Sequence, residues 1–441
     1  MEYRIQGSAM TTLLRAQLFH TPGNPFTQAA ALAAVADGAI AFAQGRILAV
    51  GEFAALRRDY AEAPVSDHRG SILLPGLIDT HVHYPQLPIV GAMGLGLLDW
   101  LNTRTLPHEE AFAEPGYARR QARQFLRLLV GNGTTAALVF GAHFAGAMQV
   151  FFEEAEQLGL RITSGLVLGD RQLTPALHTT PERAYQESRA LLAAWHGRGR
   201  VRYAVTPRFS LSCSEALLEV CRALLQEAPG VFFTTHLNET AAEVAAVAAL
   251  FPWAEDYLAT YEHFGLVGSR SVFAHNLHAS DEQLRRLARG GSSIAHCPSS
   301  NAFLGSGLFP LRRHLAHNLT VALGTDVGAG TGLCLLGEAL AAYQGQMLQG
   351  HPLTPAQLLY LATRAGAEAL GLAAEVGDLT PGKSADFVLL RPPAGSTLEA
   401  VLQHSPSAEA TLGALFTLAR QESVAEVYLA GRPLLKHTGF S

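Results

Sequence analysis

Between residues 72 and 326 the sequence alternates short apolar runs with amphipathic segments, and this alternation restricts the possible folds more than any other feature. The apolar runs have the length of buried strands. Most of the intervening segments carry apolar residues at three- and four-residue steps, the period of a helix that covers a sheet. We predict eight strands, which lie at 72–81, 134–140, 161–169, 201–207, 231–237, 271–277, 292–298 and 320–326.

Strands that alternate with helices indicate a parallel sheet. Eight such units are the number needed for an α/β fold of the (β/α)8 TIM barrel type. A doubly wound open sheet is the alternative. No Gly-x-Gly-x-x-Gly follows the first predicted strand, so the sequence favours the barrel.

Both chain ends indicate a second, smaller unit rich in strands. Residues 39–51 form two apolar runs around Gln44-Gly45, which is typical of a hairpin. Residues 384–390 and 423–436 repeat this character, and the latter turns at Ala430-Gly431. We predict a small β-sandwich domain from residues 10–72 and 375–441, a barrel domain from 73–374, and an added leader at residues 1–9 ahead of a native start at Met10.

The composition excludes several classes of protein. Of the 441 residues, 49% are hydrophobic and 16% charged, which indicates a compact globular protein. The net charge is −5 and no long Lys/Arg block is present, so we expect neither nucleic acid nor a membrane as partner. No signal sequence is visible, and we expect a cytoplasmic protein. The four cysteines lack metal-site spacing and are predicted to be free buried thiols.

A barrel places its catalytic groups at the carboxyl ends of its strands. His81 and His83 end the first predicted strand, and side chains two residues apart on a strand share one face. The other predicted strand ends also carry polar groups, namely Arg208 with Phe209, His236 with Glu239, His275, His296 and Asp326. Such a concentration at one face predicts a catalytic site.

Each of these residues alone has a simpler explanation. Asp326 alone would fit a helix cap, Glu239 a solvated carboxylate and Arg208 a surface cation. We assign His296 to this simpler class, as a structural hydrogen-bonding residue near the site. For the others, independent coincidences at one barrel face are a weaker explanation than a shared function.

A His-x-His pair, a further histidine and an aspartate supply three nitrogen ligands and one oxygen ligand. Imidazole suits zinc, iron and related metals, whereas magnesium and calcium prefer oxygen. We predict one zinc ion per chain, with iron as the alternative. Zinc lowers the pKa of a bound water to about 7, so the site is predicted to be hydrolytic. Glu239 would then move protons between water and leaving group.

The sequence resembles the amidohydrolase superfamily, from about Met10 to the C-terminus. The shared marks are PGLIDTHVH, the histidines at 236 and 275, GTD ending in Asp326, and GDLTPGKSADFVLL at 377–390. Five further segments resemble the guanine-deaminating branch of that superfamily. They are HVHYPQ (81–86), LLDWLNTRTLP (97–107), VTPRFSLSCSE (205–215), THLNE (235–239) and SSIAHCPSSN (292–301).

The resemblance implies a role for each matching residue. It implies a metal held by His81, His83, His236 and Asp326. It implies Glu239, Asp326 and His275 as catalytic residues, with Gln86, Arg208 and Phe209 around a purine base and Trp100 and Leu101 closing over its ring. Tyr84 and Ser299 replace an expected smaller residue and an expected Asn, which bears on the shape of the pocket.

The implied reaction is the hydrolytic deamination of guanine to xanthine and ammonia, by a homodimer. One alternative is another mononuclear aminohydrolase that acts on a pterin, a triazine or an adenosine-like compound. Another is a metal-free binding protein on the same scaffold. Binuclear chemistry with a modified lysine is disfavoured, because the fourth predicted strand runs into Thr206-Pro207-Arg208.

Overall fold

The computed structural model of the protein describes residues 10–436, so the predicted leader at residues 1–9 lies outside the described residues. The strands form two separate sheets. In chain order they are β1 (Thr12–His20), β2 (Ala33–Ala43), β3 (Arg46–Glu52), β4 (Val65–Pro75), β5 (Leu77–His83), β6 (Thr134–Phe140), β7 (Arg161–Gly165), β8 (Val167–Leu168), β9 (Arg202–Pro207), β10 (Phe232–Leu237), β11 (Ser271–His275), β12 (Ser293–His296), β13 (Thr320–Leu323), β14 (Phe387–Leu390), β15 (Val424–Leu429) and β16 (Arg432–Lys436).

The barrel sheet runs in the order β5-β6-β7-β9-β10-β11-β12-β13, and its paired strands are parallel. The short strand β8 continues the line of β7 and pairs with β9. Just beyond the last strand, Asp326 N–H donates to His81 O at 2.8 Å, and His83 N–H donates to Val327 O at 3.0 Å. These bonds join the last strand to the first, which confirms the predicted TIM barrel.

Most helices cover the barrel or connect its strands, and the first helix of the chain packs on the other sheet. In chain order they are α1 (Phe53–Asp59), α2 (Leu97–Trp100), α3 (Leu106–Glu109), α4 (Pro115–Gly131), α5 (Ala145–Leu158), α6 (Pro181–Trp195), α7 (Glu215–Leu225), α8 (Ala241–Leu250), α9 (Ala259–Glu262), α10 (Asp281–Gly290), α11 (Pro298–Phe303), α12 (Leu311–Ala316), α13 (Leu335–Leu348), α14 (Pro355–Ala362), α15 (Arg364–Ala369), α16 (Thr397–Leu402) and α17 (Ala408–Leu418). A π-helical turn, Leu101–Thr105, joins α2 to α3. Within residues 10–436, no helix combines the length and apolarity needed to cross a membrane.

The predicted strand at 72–81 is wrong in one respect, because two strands occupy it. Residues up to Pro75 belong to β4, which pairs with β14 in the other sheet, and the barrel strand β5 begins at Leu77. Gly76 carries the chain between the sheets, and a Cβ there would lie 2.0 Å from Thr135 Oγ1. The continuous apolar pattern conceals this crossing, because both strands are buried.

The second sheet has the order β16-β15-β14-β4-β1-β2-β3, and it is built from both ends of the chain. The predicted hairpins at Gln44-Gly45 and Ala430-Gly431 are confirmed. All four residues have positive φ values, between 48° and 77°, as a two-residue hairpin turn requires.

This sheet curves until its two ends face each other. Two strands separate β2 from β14, yet the rings of Phe42 and Phe387 lie 5.7 Å apart between centroids. Tyr428 stacks on Phe387 at 4.5 Å. The small unit therefore buries its own core, in the manner expected of a sandwich, within one continuous sheet. The domain limits at residues 72 and 375 stay a prediction.

The cysteines have no disulfide partners. Cys213, Cys221 and Cys297 are buried, as predicted, whereas Cys334 is only partly buried.

Asp386 joins the small sheet to the barrel. It lies just ahead of β14, its side chain is fully buried, and it accepts a hydrogen bond from Ala430 N. From the barrel side, Arg161 Nε lies 3.2 Å and Arg200 Nη1 lies 3.0 Å from its Oδ2. One carboxylate thus compensates two guanidinium groups at the junction.

We expect Asp386→Ala to lower the free energy of unfolding by about 3 kcal/mol, because removal of one member of a buried ion pair leaves uncompensated charge. Glu187→Ala is the matched control, since Glu187 pairs with Arg183 on the exposed face of α6 and such pairs contribute about 1 kcal/mol or less. Urea denaturation followed by fluorescence measures both. Equal losses in the two variants would contradict the structural role of Asp386.

Candidate active site

The backbone changes direction where the barrel strands end. Asn238, His275, Asn276 and Asp326 all have positive φ, with values of 50°, 69°, 56° and 47°. Such left-handed residues other than glycine carry a conformational cost, and they concentrate at functional sites. Here they lie at or just after the ends of β10, β11 and β13, and two of them, His275 and Asp326, line the pocket.

Four predicted ligands converge at this end of the barrel. One ligand atom from each of His81, His83, His236 and Asp326 lies within 4.8 Å of the others. His83 Nε2 lies 3.1 Å from His81 Nε2 and 3.3 Å from His236 Nε2. Asp326 Oδ1 lies 3.2 Å from the Nε2 atoms of both His81 and His83.

The protonation of these groups fits a metal. Burial lowers the pKa of His81 and His236, and it lowers the pKa of His83 to about 4, so the imidazoles are neutral. Burial raises the pKa of Asp326, but its close contacts with His81 and His83 outweigh this effect and lower the pKa below the ordinary value, so the carboxyl is ionised. His236 Nδ1–H donates to Arg208 O at 2.7 Å, which leaves the Nε2 lone pair facing the cluster. Three neutral nitrogens and one carboxylate form a donor set for zinc or iron.

Residues from α11 orient two of the catalytic candidates. Ser300 Oγ donates to Asp326 Oδ2 at 2.6 Å, and Asn301 Oδ1 accepts from His275 Nδ1 at 3.0 Å. His275 Nε2 then lies 3.5 Å from Glu239 Oε2. Sequence reasoning missed Ser300 and Asn301, although both belong to the SSIAHCPSSN segment and come just after the predicted strand at 292–298.

Glu239 is almost fully buried, at 2% exposure, so it is not a solvated carboxylate. Burial raises its pKa well above the ordinary value, and the nearby charges of Glu243 and Asp326 raise it further. Ser306 Oγ lies 3.5 Å from its Oε1. A carboxyl group in this environment holds a proton at neutral pH, as a general acid must.

A pocket lies above the ligand cluster. All five predicted substrate residues line it, namely Gln86, Trp100, Leu101, Arg208 and Phe209. The pocket also exposes His83, His236, Glu239, His275 and Asp326. Leu97, Leu304 and Ala329 complete the lining and were not predicted. The pocket is therefore apolar around its walls and polar at the ligand cluster.

Besides His81, three residues singled out in the sequence lie outside this lining. His296 stacks on Phe309, with 4.2 Å between ring centroids, but neither of its ring nitrogens has a hydrogen-bond partner among the described residues, so the expected hydrogen-bonding role is wrong and the residue packs instead. Tyr84 is buried against Phe151 at 4.5 Å. Ser299 Oγ donates to Glu338 at 2.6 Å. Tyr84 and Ser299 thus affect the packing behind the pocket rather than its inner surface.

Arg208 is neither a surface cation nor a lone charge in the pocket. It is 3% exposed, and its Nη1 donates to Glu109 Oε2 at 2.7 Å and lies 3.2 Å from His143 Nε2. Its Nη2 lies 3.4 Å from Glu109 Oε1. Sequence reasoning missed Glu109 and His143. The available signal was the pair of acidic residues, Glu109 and Glu110, just after LLDWLNTRTLP.

Both the oxygen and the nitrogen of the Gln86 side-chain amide are hydrogen-bonded. Its Oε1 accepts from Gly328 N at 3.1 Å, and its Nε2 donates to Glu109 Oε1 at 2.8 Å. These two bonds assign the orientation of the amide, and Glu109 contacts both Gln86 and Arg208.

Known proteins resemble this chain along nearly its whole length. Residues 72–434 match the model of the amidohydrolase family, so the chain belongs to the amidohydrolase family. A probable guanine deaminase from Deinococcus radiodurans is 56% identical over 427 residues, which cover 95% of this chain and 97% of that protein.

Solved structures give the same result. The guanine deaminase of E. coli superposes with a TM-score of 0.94 at 37% identity, covering 97% of this chain and 100% of that one. A guanine deaminase from C. acetobutylicum with bound guanine superposes with a TM-score of 0.89 at 25% identity, covering 96% of this chain and 100% of that one. A zinc-bound adenosine deaminase from Xanthomonas campestris superposes with a TM-score of 0.82 at 26% identity, covering 97% of this chain and 93% of that one.

We expect His236→Ala to lower the metal content of the purified protein, because it removes one of four converging ligand atoms. His263→Ala is the control, since His263 is exposed and packs on Trp253. Elemental analysis by mass spectrometry measures zinc and iron per chain. Full metal occupancy in the His236 variant would contradict the ligand set.

Proposed function

We propose that this amidohydrolase removes the amine from the C2 carbon of guanine by hydrolysis, with zinc as its metal and xanthine and ammonia as its products. The observation that carries the proposal is the position of four converging metal ligands beneath a pocket lined by Arg208, Phe209 and Glu239. The likeness to guanine deaminases along nearly the whole chain supports the choice of base.

Arg208 orients the base in this proposal. A guanidinium has five N–H donors, and among the described residues Glu109 and His143 take three from Arg208. The remaining donors face the carbonyl at C6 of guanine, which turns the C2 edge toward the metal ligands. Phe209, Trp100 and Leu101 pack against the purine ring.

The residues beneath the base manage the protons. A bound zinc ion supplies Lewis acidity to the site. The oxygen of a water molecule bonds to C2 while one of its protons passes to Asp326 and the proton of Glu239 passes to the adjacent ring nitrogen. The carboxylate of Glu239 then carries the remaining proton from that oxygen to the amine, so that the oxygen becomes the C2 carbonyl, the bond from C2 to the amine breaks and ammonia leaves. Asp326 returns its proton to Glu239. His275, fixed by Asn301, hydrogen-bonds the attacking oxygen beside the reacting carbon.

Glu239→Gln should lower kcat by about 10² to 10⁴, because the amide keeps the shape of the side chain but cannot carry the proton. The metal content should stay near one per chain, since Glu239 is not among the four ligands. Steady-state ammonia release and elemental analysis measure the two effects. Nearly full turnover in this variant would remove Glu239 from the reaction.

Arg208→Ala should lower kcat/KM for guanine by at least about 100-fold, because a charged hydrogen bond to the substrate is lost and Glu109 is left uncompensated. Arg198→Ala is the control, since Arg198 is exposed and lies outside the pocket lining. Steady-state kinetics with guanine measures both variants. Unchanged guanine kinetics in the Arg208 variant would contradict its assigned role.

The alternative functions give different results in one screen. Purified protein is assayed for ammonia release from guanine, adenine, cytosine, pterins and triazines. The proposal requires strong preference for guanine, since adenine offers no carbonyl to Arg208 and no amine at C2. A site that bonds a polar group can reject an analogue without it by about 10⁴ to 10⁵. Comparable turnover of adenine would overturn the proposal, and the absence of turnover of any base would favour a binding protein.

We also propose a homodimer in the cytoplasm, on the basis of the resemblance and the composition. Light scattering of the purified protein tests the dimer. A monomeric mass at micromolar concentration would contradict it.

A further inference from the structure

Glu109 lies behind the pocket wall rather than on its surface. It is 3% exposed and outside the pocket lining, yet both of its oxygens contact residues that line the pocket. Oε2 lies 2.7 Å from Arg208 Nη1, and Oε1 lies 2.8 Å from Gln86 Nε2. Any effect of Glu109 on a bound base therefore passes through Gln86 and Arg208.

The charges of Glu109, Arg208 and His143 sum to zero. Burial raises the pKa of Glu109, but the charge of Arg208 and the contact with His143 outweigh it and hold the carboxyl ionised. Burial also lowers the pKa of His143, which is therefore neutral. Arg208 thus presents hydrogen-bond donors to the pocket without presenting a net positive charge.

We propose that Glu109 is a specificity-determining positioning residue, which balances the charge of Arg208 so that the pocket accepts a neutral base with a carbonyl and releases a more acidic product. The inference rests on the proposed function, and it concerns the discrimination between substrate and product rather than the reaction itself.

Substrate and product differ in charge at mildly alkaline pH, and Glu109 controls the net charge that Arg208 presents to them. Deamination replaces the amine at C2 of guanine by an oxygen, and the resulting xanthine loses a proton at mildly alkaline pH, where guanine is still neutral. An uncompensated guanidinium would hold the xanthine anion by charge attraction, which the buried position of Arg208 would strengthen. The paired guanidinium of the native site gives the anion no such advantage.

The test measures guanine KM and the inhibition constant Ki of xanthine in the metal-loaded enzyme at mildly alkaline pH. Glu109→Gln should lower the ratio of Ki to KM by at least about tenfold, because Arg208 becomes an unbalanced cation. Glu109→Asp keeps the charge and should restore the ratio to within about threefold of wild type. A purely structural role for Glu109 would change both constants together and leave the ratio unchanged.

The matched control is Glu154→Gln, which removes a mostly buried carboxylate that pairs with Arg119 and Arg123 outside the pocket lining. It should leave the ratio at the wild-type value. Arg208→Gln makes the opposite change, since it leaves Glu109 as an unbalanced anion, and it should raise the ratio by at least about tenfold. This second variant decides the question if Glu109→Gln does not fold.

Three results overturn the inference. They are an unchanged ratio in a folded Glu109→Gln protein, an equal shift in Glu154→Gln, and a ratio that does not rise in Arg208→Gln. Failure of the proposed function is seen separately, as the absence of ammonia release from guanine by the wild type. In that case calorimetry with guanine and xanthine gives the ratio of their dissociation constants and tests the charge balance directly.

Discussion

The active site depends on the hydrogen bonds that join the first and last strands of the barrel. Asp79, fully buried on β5, accepts from Thr325 N at 3.1 Å and from Thr325 Oγ1 at 2.6 Å. On the next residue along, Asp326 N donates to His81 O at 2.8 Å. These bonds hold Asp326, which follows the last barrel strand, close to His81 and His83, which lie at the end of the first barrel strand. Without barrel closure, ligands separated by more than 240 residues would not converge.

A second set of contacts keeps the proposed catalytic groups in place. Glu338 on α13 accepts from both Ser299 N and Ser299 Oγ, and it thereby anchors the beginning of α11. That helix supplies Ser300 to Asp326 and Asn301 to His275. Preorganised groups of this kind need little rearrangement when charge develops during the reaction. The departure from an expected Asn at position 299 therefore changes how a helix is anchored and leaves the pocket lining unchanged.

The sequence predicts the parts of this site that are local. His81 and His83 follow from their spacing on one strand, and Asp326 and His275 follow from their positions at strand ends. The hairpins follow from two-residue turns. The boundary between β4 and β5 is not evident in the sequence, because two buried strands give one apolar run and only Pro75-Gly76 marks the crossing.

Contacts between distant parts of the chain are harder to predict. Glu109 and Arg208 are 99 residues apart, and nothing in either local pattern indicates that they pair. The same holds for Ser300 with Asp326 and for Asn301 with His275, which join different strand ends through a helix. Such pairs arise only once the barrel has set the positions of its loops, so sequence patterns find the metal ligands more readily than the residues that orient them.

The central claim is that one metal ion lies among four ligands and that the C2 edge of guanine faces it. A crystal structure of zinc-loaded Glu239→Gln with guanine, with diffraction recorded at the zinc absorption edge, measures both parts. We expect one anomalous peak among His81, His83, His236 and Asp326, with C2 of the base nearer to it than C6 and the C6 carbonyl at Arg208. An anomalous peak elsewhere, or a base with C6 toward the metal, would contradict it.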